Sequence, residues 1–326
     1  MAVLVTGAAG FIGFHVAAAL ARAGERVLGI DNLNSYYDVR LKEARVAELR
    51  KLPGFAFERL ELAETGVLGA LMARHRDIDR IVHLAAQAGV RHSLTEPRAY
   101  IAANLAGHLE VLEACRGMSG LKHLVYASSS SVYGGNTKLP YAETDSVDTP
   151  QSLYAATKKA DELMSHCYAH LYRIPATGIR FFTVYGPWGR PDMAAWIFTK
   201  AILADEPIKL FNRGHMQRDF TYIDDVVAGV LGCLAKPPAD TGGAPPHHIY
   251  NLGNHRCEEL ERFVAVLERT IGKPARRELA PMQPGDVAAT YADIEAASRD
   301  FGFSPKTTID EGLPKFVQWY RAYHGL

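Results

Sequence analysis

The chain opens on an apolar run, Val3-Leu4-Val5, that passes into a glycine-rich turn and then into apolar positions at helical spacing over residues 12–23. That alternation repeats. Short runs rich in Val, Ile and Leu predict strands at 2–6, 26–30, 55–60, 80–84, 121–128 and 175–182. Three-and-four spacing predicts helices between them at 12–23, 38–51, 66–75, 98–117 and 152–172. Strands alternating with helices build a parallel sheet covered on both faces, so residues 1–182 read as an α/β, doubly wound domain. Beyond residue 183 the pattern loosens. Helices are predicted near 194–204, 223–235, 258–271 and 309–323, separated by irregular, proline-bearing stretches. Residues 183–326 therefore read as a smaller C-terminal substrate-binding lobe, part of which is expected to return to the first domain. Pro237 to Pro246, with four prolines and two glycines, reads as a surface loop.

Composition narrows the partners. The 326 residues balance 36 basic against 36 acidic side chains, which calls for neither nucleic acid nor an anionic membrane. No apolar run approaches the roughly 20 residues of a membrane-spanning helix, and a strand starting at residue 2 leaves no room for a signal peptide. Cys115, Cys167, Cys233 and Cys257 are scattered without a C-x-x-C pair, as expected of reduced thiols in a cytoplasmic protein. His247-His248 lacks partners at metal-ligand spacing, so no metal is expected.

The first turn carries chemistry. Gly7, Gly10 and Gly13 are spaced three apart between the first strand and the first helix. Glycine lets backbone approach a pyrophosphate, and the helix N-terminus supplies N–H donors and the positive end of its dipole. The second strand ends in Asp31, close to the spacing at which an acid grips an adenosine ribose. Such an acid repels the extra phosphate of NADP. The pattern predicts NAD on a Rossmann-type sheet.

A second group lies downstream. Ser128-Ser129-Ser130-Ser131 follows the strand 121–128, and open α/β sheets bind ligands at the carboxyl ends of strands. Tyr154 and Lys158 then sit four apart, on one face of the predicted helix 152–172. A phenol becomes a usable base when a fixed ammonium beside it stabilises the phenolate. His83, in the strand-end run His83-Leu84-Ala85-Ala86-Gln87, reads as structural. Gln87 and Arg91 fall where a loop can touch cofactor or sugar.

Taken together, Thr6-Gly7-x-x-Gly10-x-x-Gly13, the serine run with Val132-Tyr133-Gly134, and Tyr154-x-x-x-Lys158 resemble the extended short-chain dehydrogenase/reductase family of nucleotide-sugar enzymes. The resemblance covers nearly the whole chain, including Arg218-Asp219-Phe220 and Pro284-Gly285-Asp286. It implies that Gly7, Gly10, Phe11, Ile12, Gly13, Asp31, Asn32, Leu62, Leu84, Ala85, Ala86 and Lys158 surround NAD. Glu61 stands where similar enzymes usually carry an aspartate to meet the adenine amino group, which leaves that contact open. The resemblance also implies that Tyr154 takes the sugar 4-OH proton while the C4 hydride moves to NAD, with Ser129 as the helper hydroxyl.

The same resemblance bears on the substrate. Dehydratases of the family carry Asp-Glu where this chain has Ser130 and Ser131, and decarboxylases carry glutamate at the position of Ser131. Neither set is present, which favours a simple epimerase. Arg180 to Met193, chiefly Thr183 and Arg190, is similar to UDP-glucuronate 4-epimerases, whereas UDP-galactose 4-epimerases normally have asparagine at Thr183. The stretch from Asp31 to Asp38, with Tyr36 and Tyr37, is similar to the same enzymes. A guanidinium such as Arg190 can hold a carboxylate through two parallel hydrogen bonds, with Ser130, Ser131 and Thr183 as further donors. Arg218 is expected at the UDP phosphates and Asp286 near the uridine ribose. UDP-glucuronate and UDP-galacturonate are thus the expected substrate pair. A decarboxylase, an epimerase of neutral UDP-sugars and an NAD-binding sensor remain open alternatives. The stripe Leu105, Leu109, Leu112 and the helix from Leu153 to Leu171 read as core or as a dimer interface, and the resemblance favours a homodimer.

Overall fold

A seven-stranded parallel sheet organises the computed structural model, which describes residues 1–283 and 285–326. Its first six strands are β1 (Ala2–Thr6), β2 (Arg26–Asp31), β3 (Phe55–Arg59), β4 (Ile78–His83), β5 (His123–Ser129) and β6 (Ala176–Phe181). They lie in the order β6-β5-β4-β1-β2-β3, and a seventh strand, His247–Leu252, adds parallel to β6 at the edge. Every residue of β1 and of β6 is buried. A strand covered on both faces can be apolar along most of its length, which is why β1 reads as a run rather than an alternation.

Helices α1 (Phe11–Arg22), α2 (Val39–Leu49) and α3 (Val67–Arg74) connect the first strands, within two residues of their sequence-based bounds. Two expectations need correction. The helix over 98–117 is not one regular element: Pro97–Tyr100 runs into a π-helical stretch, Ile101–Ala106, before α-helix resumes at Gly107–Arg116. The far part of the chain is also not helical alone. It contributes His247–Leu252 to the main sheet and pairs Thr183–Tyr185 with Phe220–Tyr222 and Pro207–Leu210 with Arg276–Leu279. These strands are three to six residues long, too short for a period to declare itself.

Aromatic packing ties the two parts of the chain together. Trp188 packs 5.4 Å from Phe14 of α1 and 5.3 Å from Trp319 of the C-terminal helix Ile309–His324. Arg45, fully buried on α2, donates from Nη1 to the Ala9 carbonyl at 2.9 Å and from Nη2 to the Trp188 carbonyl at 2.6 Å. The glycine turn and the 186–190 turn are therefore held to each other by one side chain.

Candidate active site

The strand order reverses between β1 and β4, and the crevice beyond their carboxyl ends holds a cavity. Its floor is the glycine turn. Gly7 has φ +69°, and a Cβ there would stand 2.7 Å from the Ala85 nitrogen. A Cβ on Gly13 would stand 2.0 Å from the Gly7 carbonyl oxygen. Neither position admits another residue without moving backbone. No side chain caps α1 at Gly10, so its first-turn N–H groups are left for an anionic ligand.

The far wall of this cradle is polar. Asp31 accepts from the backbone N–H of Leu33 at 2.8 Å and of Ala9 at 3.2 Å. Burial raises its carboxyl above the ordinary value, with Lys42 and those N–H groups pulling the other way. Glu61 accepts from Asn32 Nδ2 at 2.7 Å and from the Ala63 N–H at 3.1 Å. Both of its oxygens are engaged within the protein, while the side chain still lines the cavity. Gln87 also lines it, and its Nε2 is a buried donor without a partner. Uncapped helix, glycine floor, acid at the strand end and an orphan amide all suit a dinucleotide.

Ser152 starts the helix Leu153–Tyr172 by accepting from the Ala155 N–H at 3.1 Å. Such a cap contributes about 1 kcal/mol and sets the register of Tyr154 and Lys158. Tyr154 is half-buried, its ring 6.0 Å from Tyr100 in an edge-to-face pair. Lys158 is 2 % exposed. Its Nζ donates to the Ala127 carbonyl at 3.0 Å and to Asp161 Oδ2 at 2.9 Å, which leaves one of three N–H bonds free. Burial pulls the Lys158 pKa down, but the attraction of Asp161, Tyr154 and Glu162 outweighs it and the ammonium is held above its usual value. Burial pushes the Asp161 carboxyl up to about 6 against the pull of Lys158.

Ser129 ends β5 inside the same cavity. Its Oγ accepts from the Ser131 N–H and donates to Ser131 Oγ, both at 3.1 Å. Ser128 instead faces inward and donates to Glu162 at 2.6 Å. His83 is buried with Nδ1 2.7 Å from Thr6 Oγ1, and burial lowers its pKa well below the ordinary value. It is a neutral structural group.

The structure thus brings Gly7, Gly10, Phe11, Ile12, Gly13, Asp31, Asn32, Glu61, Leu62, Leu84, Ala85, Ala86, Ser129, Tyr154, Lys158 and Arg190 to one cavity. That cavity does not reach Ser130, Ser131, Thr183, Arg218 or Asp286. Arg218 is half-buried and donates only to the Gln217 and Ala288 carbonyls and toward Met216 Sδ, with no carboxylate partner among the described residues. Asp286 accepts from Arg91 Nη2 at 2.8 Å, while its neighbour Pro284 lies outside the described residues.

Arg190 differs from its expected role in one respect. Its Nε and Nη2 already grip Asp192, at 3.0 and 2.5 Å, and Tyr36 donates to the same carboxylate at 3.1 Å. The side-on Nε/Nη2 edge is taken, and Nη1 with the second Nη2 N–H is what remains. Asp192 went unnoticed in the sequence because an acid two residues from a base is common in any turn. Lys42, Arg45 and Asp161 were missed too, although the i,i+3 spacing of Lys158 and Asp161 is a legible ion-pair signal.

Known proteins agree with this geometry. A family model described as the NAD dependent epimerase/dehydratase family matches residues 3–253. UDP-glucuronate 4-epimerase 2 of Arabidopsis thaliana is 46% identical, over 99% of this chain and 76% of the plant protein. A probable UDP-glucuronate 4-epimerase of Rhizobium meliloti is 45% identical over 98% of this chain and 97% of its own. The crystal structure of UDP-glucuronic acid 4-epimerase from Bacillus cereus, in complex with UDP-glucuronic acid and NAD, superposes with a TM-score of 0.90 at 34% identity, covering 99% of this chain and 100% of that one. With a glycine cradle, a Tyr-x-x-x-Lys helix and relatives of this closeness, the chain belongs to the NAD dependent epimerase/dehydratase family.

Proposed function

We propose that this protein interconverts UDP-glucuronate and UDP-galacturonate by NAD-dependent 4-epimerisation through a 4-keto intermediate. The observation that carries the reading is one cavity lined by Tyr154, Lys158, Ser129 and Arg190 together with a dinucleotide cradle. When bound, NAD takes the C4 hydride and gives it back. Residues 1–182 hold the cofactor and residues 183–326 supply most of the UDP-sugar contacts.

Tyr154, as phenolate beside Lys158, removes the 4-OH proton while Ser129 hydrogen-bonds that oxygen. The 4-keto sugar turns about its diphosphate linkage to present the other face. Tyr154 then returns the proton to the new alkoxide. The balance is closed: a proton leaves the 4-OH oxygen and a hydride leaves C4, and both return. Arg218, lacking a carboxylate partner, meets the UDP phosphates, and Asp286 meets the uridine ribose.

The substrate carboxylate falls to Arg190 Nη1, with Thr183, Ser130 and Ser131 as further donors. Holding it matters because oxidation at C4 makes a β-keto acid. Such an acid loses carbon dioxide when the breaking bond aligns with the carbonyl π system. Donors that keep it out of alignment protect the intermediate.

The exposed leucines Leu109, Leu163 and Leu171 on the helices Gly107–Arg116 and Leu153–Tyr172 support a homodimer packed through these two elements. Leu112 of the same stripe belongs to the core. Four free cysteines support a cytoplasmic location.

The test is incubation of the purified protein with UDP-glucuronate, with no NAD added, followed by proton NMR of the sugar. UDP-galacturonate approaching a fixed ratio from either side is the expected result. A pentose nucleotide would establish a decarboxylase instead. Turnover of neutral UDP-sugars alone would reassign the substrate, and no turnover even with NAD supplied would leave a binding protein.

A further inference from the structure

Lys158 is gripped from behind by a carboxylate that the proposed reaction does not use. Asp161 is 1 % exposed, its Oδ2 stands 2.9 Å from Lys158 Nζ, and its Oδ1 is buried without a hydrogen-bond partner among the described residues. A buried carboxylate with an empty oxygen is costly unless a cation holds it.

The other charged or titratable groups around this pair are already neutral or balanced. On the same helix, Glu162 is bound by both Nε and Nη2 of Arg180 from β6, at 2.8 and 2.9 Å. His83 of β4 and His108 of the Gly107–Arg116 helix have their pKa values lowered by burial, and Tyr126 of β5 has its own raised by burial. All three are uncharged at neutral pH. Among the described residues, Asp161 is therefore the one counter-charge that Lys158 does not share.

We propose that Asp161 is a positioning residue of the active site: it holds the Lys158 ammonium in place and tempers the positive charge that Tyr154 feels. Tyr154, Lys158 and Asp161 lie at i, i+4 and i+7 on one helix, so the carboxylate acts on the phenol from two turns away, through the lysine between them. The inference rests on the role given to Tyr154 above.

Asp161→Asn keeps the shape and removes the charge. With the carboxylate gone, the full ammonium charge favours phenolate, so the acid limb of the kcat/KM profile moves down by about one pH unit. That is the size expected of one charge two turns away at an effective dielectric of about 20. An unpaired buried ammonium also loses its proton more readily, so the alkaline limb moves down as well. Phenolate absorbance against pH, with Asp161→Asn/Tyr154→Phe as the blank, reads the same shift without substrate. A failure there is thus distinct from a failure to turn over UDP-glucuronate. Asp161→Ala, which leaves a gap instead of an amide, must shift in the same direction. Limbs that stay in place while the rate falls uniformly, or that move to higher pH, would overturn the proposal.

Discussion

The two ends of the cavity are built differently. The cofactor end is backbone: a turn in which a Cβ on Gly7 or Gly13 would meet main-chain atoms at 2.7 or 2.0 Å, followed by an uncapped helix. The proposed sugar end combines Arg190, which lines the cavity and holds Asp192, with charged side chains beyond it: Arg91 paired with Asp286, and Arg218, tied among the described residues only to carbonyls and a methionine sulfur. A backbone cradle is fixed in advance and suits a group that stays bound through every turnover. Paired side chains can exchange partners, which suits a substrate that must enter, turn over and leave.

The largest effect expected from this contrast comes at the backbone end. Gly13→Ala forces the Gly7 carbonyl to move, so the purified protein should carry no NAD and show no epimerisation; absorbance of the denatured supernatant reads the cofactor directly. Tyr154→Phe breaks the other half of the comparison. It should keep NAD and bind UDP-glucuronate while kcat falls by about 10²–10⁴, the usual range for a lost general base. If Gly13→Ala and Tyr154→Phe lost cofactor alike, the division between the two ends would be wrong.

Arg190→Ala sharpens the account of the sugar end. Removing a hydrogen bond between charged groups costs about 1.5–3 kcal/mol, so KM for UDP-glucuronate should rise by about ten- to a hundredfold, with carbon dioxide released from part of the oxidised sugar. A variant that weakens binding but releases no extra carbon dioxide would remove Arg190 from the protection of the intermediate. In the unsubstituted protein Asp192 is held ionised. Burial alone would raise its carboxyl, but Arg190 and the Tyr36 hydroxyl outweigh that and hold it below its ordinary value.

The smallest expected effect is on stability. Burial lowers the pKa of His83 well below 6.5, that of His108 to about 3 and that of His123 to about 4. A histidine whose folded value is depressed stabilises the fold above its unfolded value and loses that contribution as pH falls toward the folded one. Stability should therefore decline from about pH 6.5 downward, each histidine adding about 1.4 kcal/mol per pH unit to the slope. His108→Gln should flatten the fall of Tm between pH 6 and 4. An unchanged slope would mean that His108 titrates in the folded state.

How much of this could be read in advance depended on distance along the chain. The first six strands and the cofactor turn were legible, because strands such as β1, buried along its whole length, carry short runs of Val and Leu next to the turn signals that end them. The Tyr154–Lys158 pair was legible because one helical turn joins them. The π-helical stretch Ile101–Ala106 was not, since a change of winding alters hydrogen bonding while leaving the apolar pattern almost intact. The strand His247–Leu252 was masked by its two histidines and its neighbouring prolines, and only its place beside β6 makes it a strand.

The sequence by itself determined the parallel sheet, the dinucleotide turn and the order of serine, tyrosine and lysine, since each is written in contacts a few residues apart. Tertiary structure alone decided that Arg190 spends its Nε/Nη2 edge on Asp192, whose carboxylate Tyr36 also holds. It alone decided that Arg91 reaches Asp286 across 195 positions, and that Arg180 of β6 takes up Glu162. A side chain's partner in a buried site is chosen by which charges the fold leaves uncompensated nearby. That is a property of the packed interior, and no local spacing carries it.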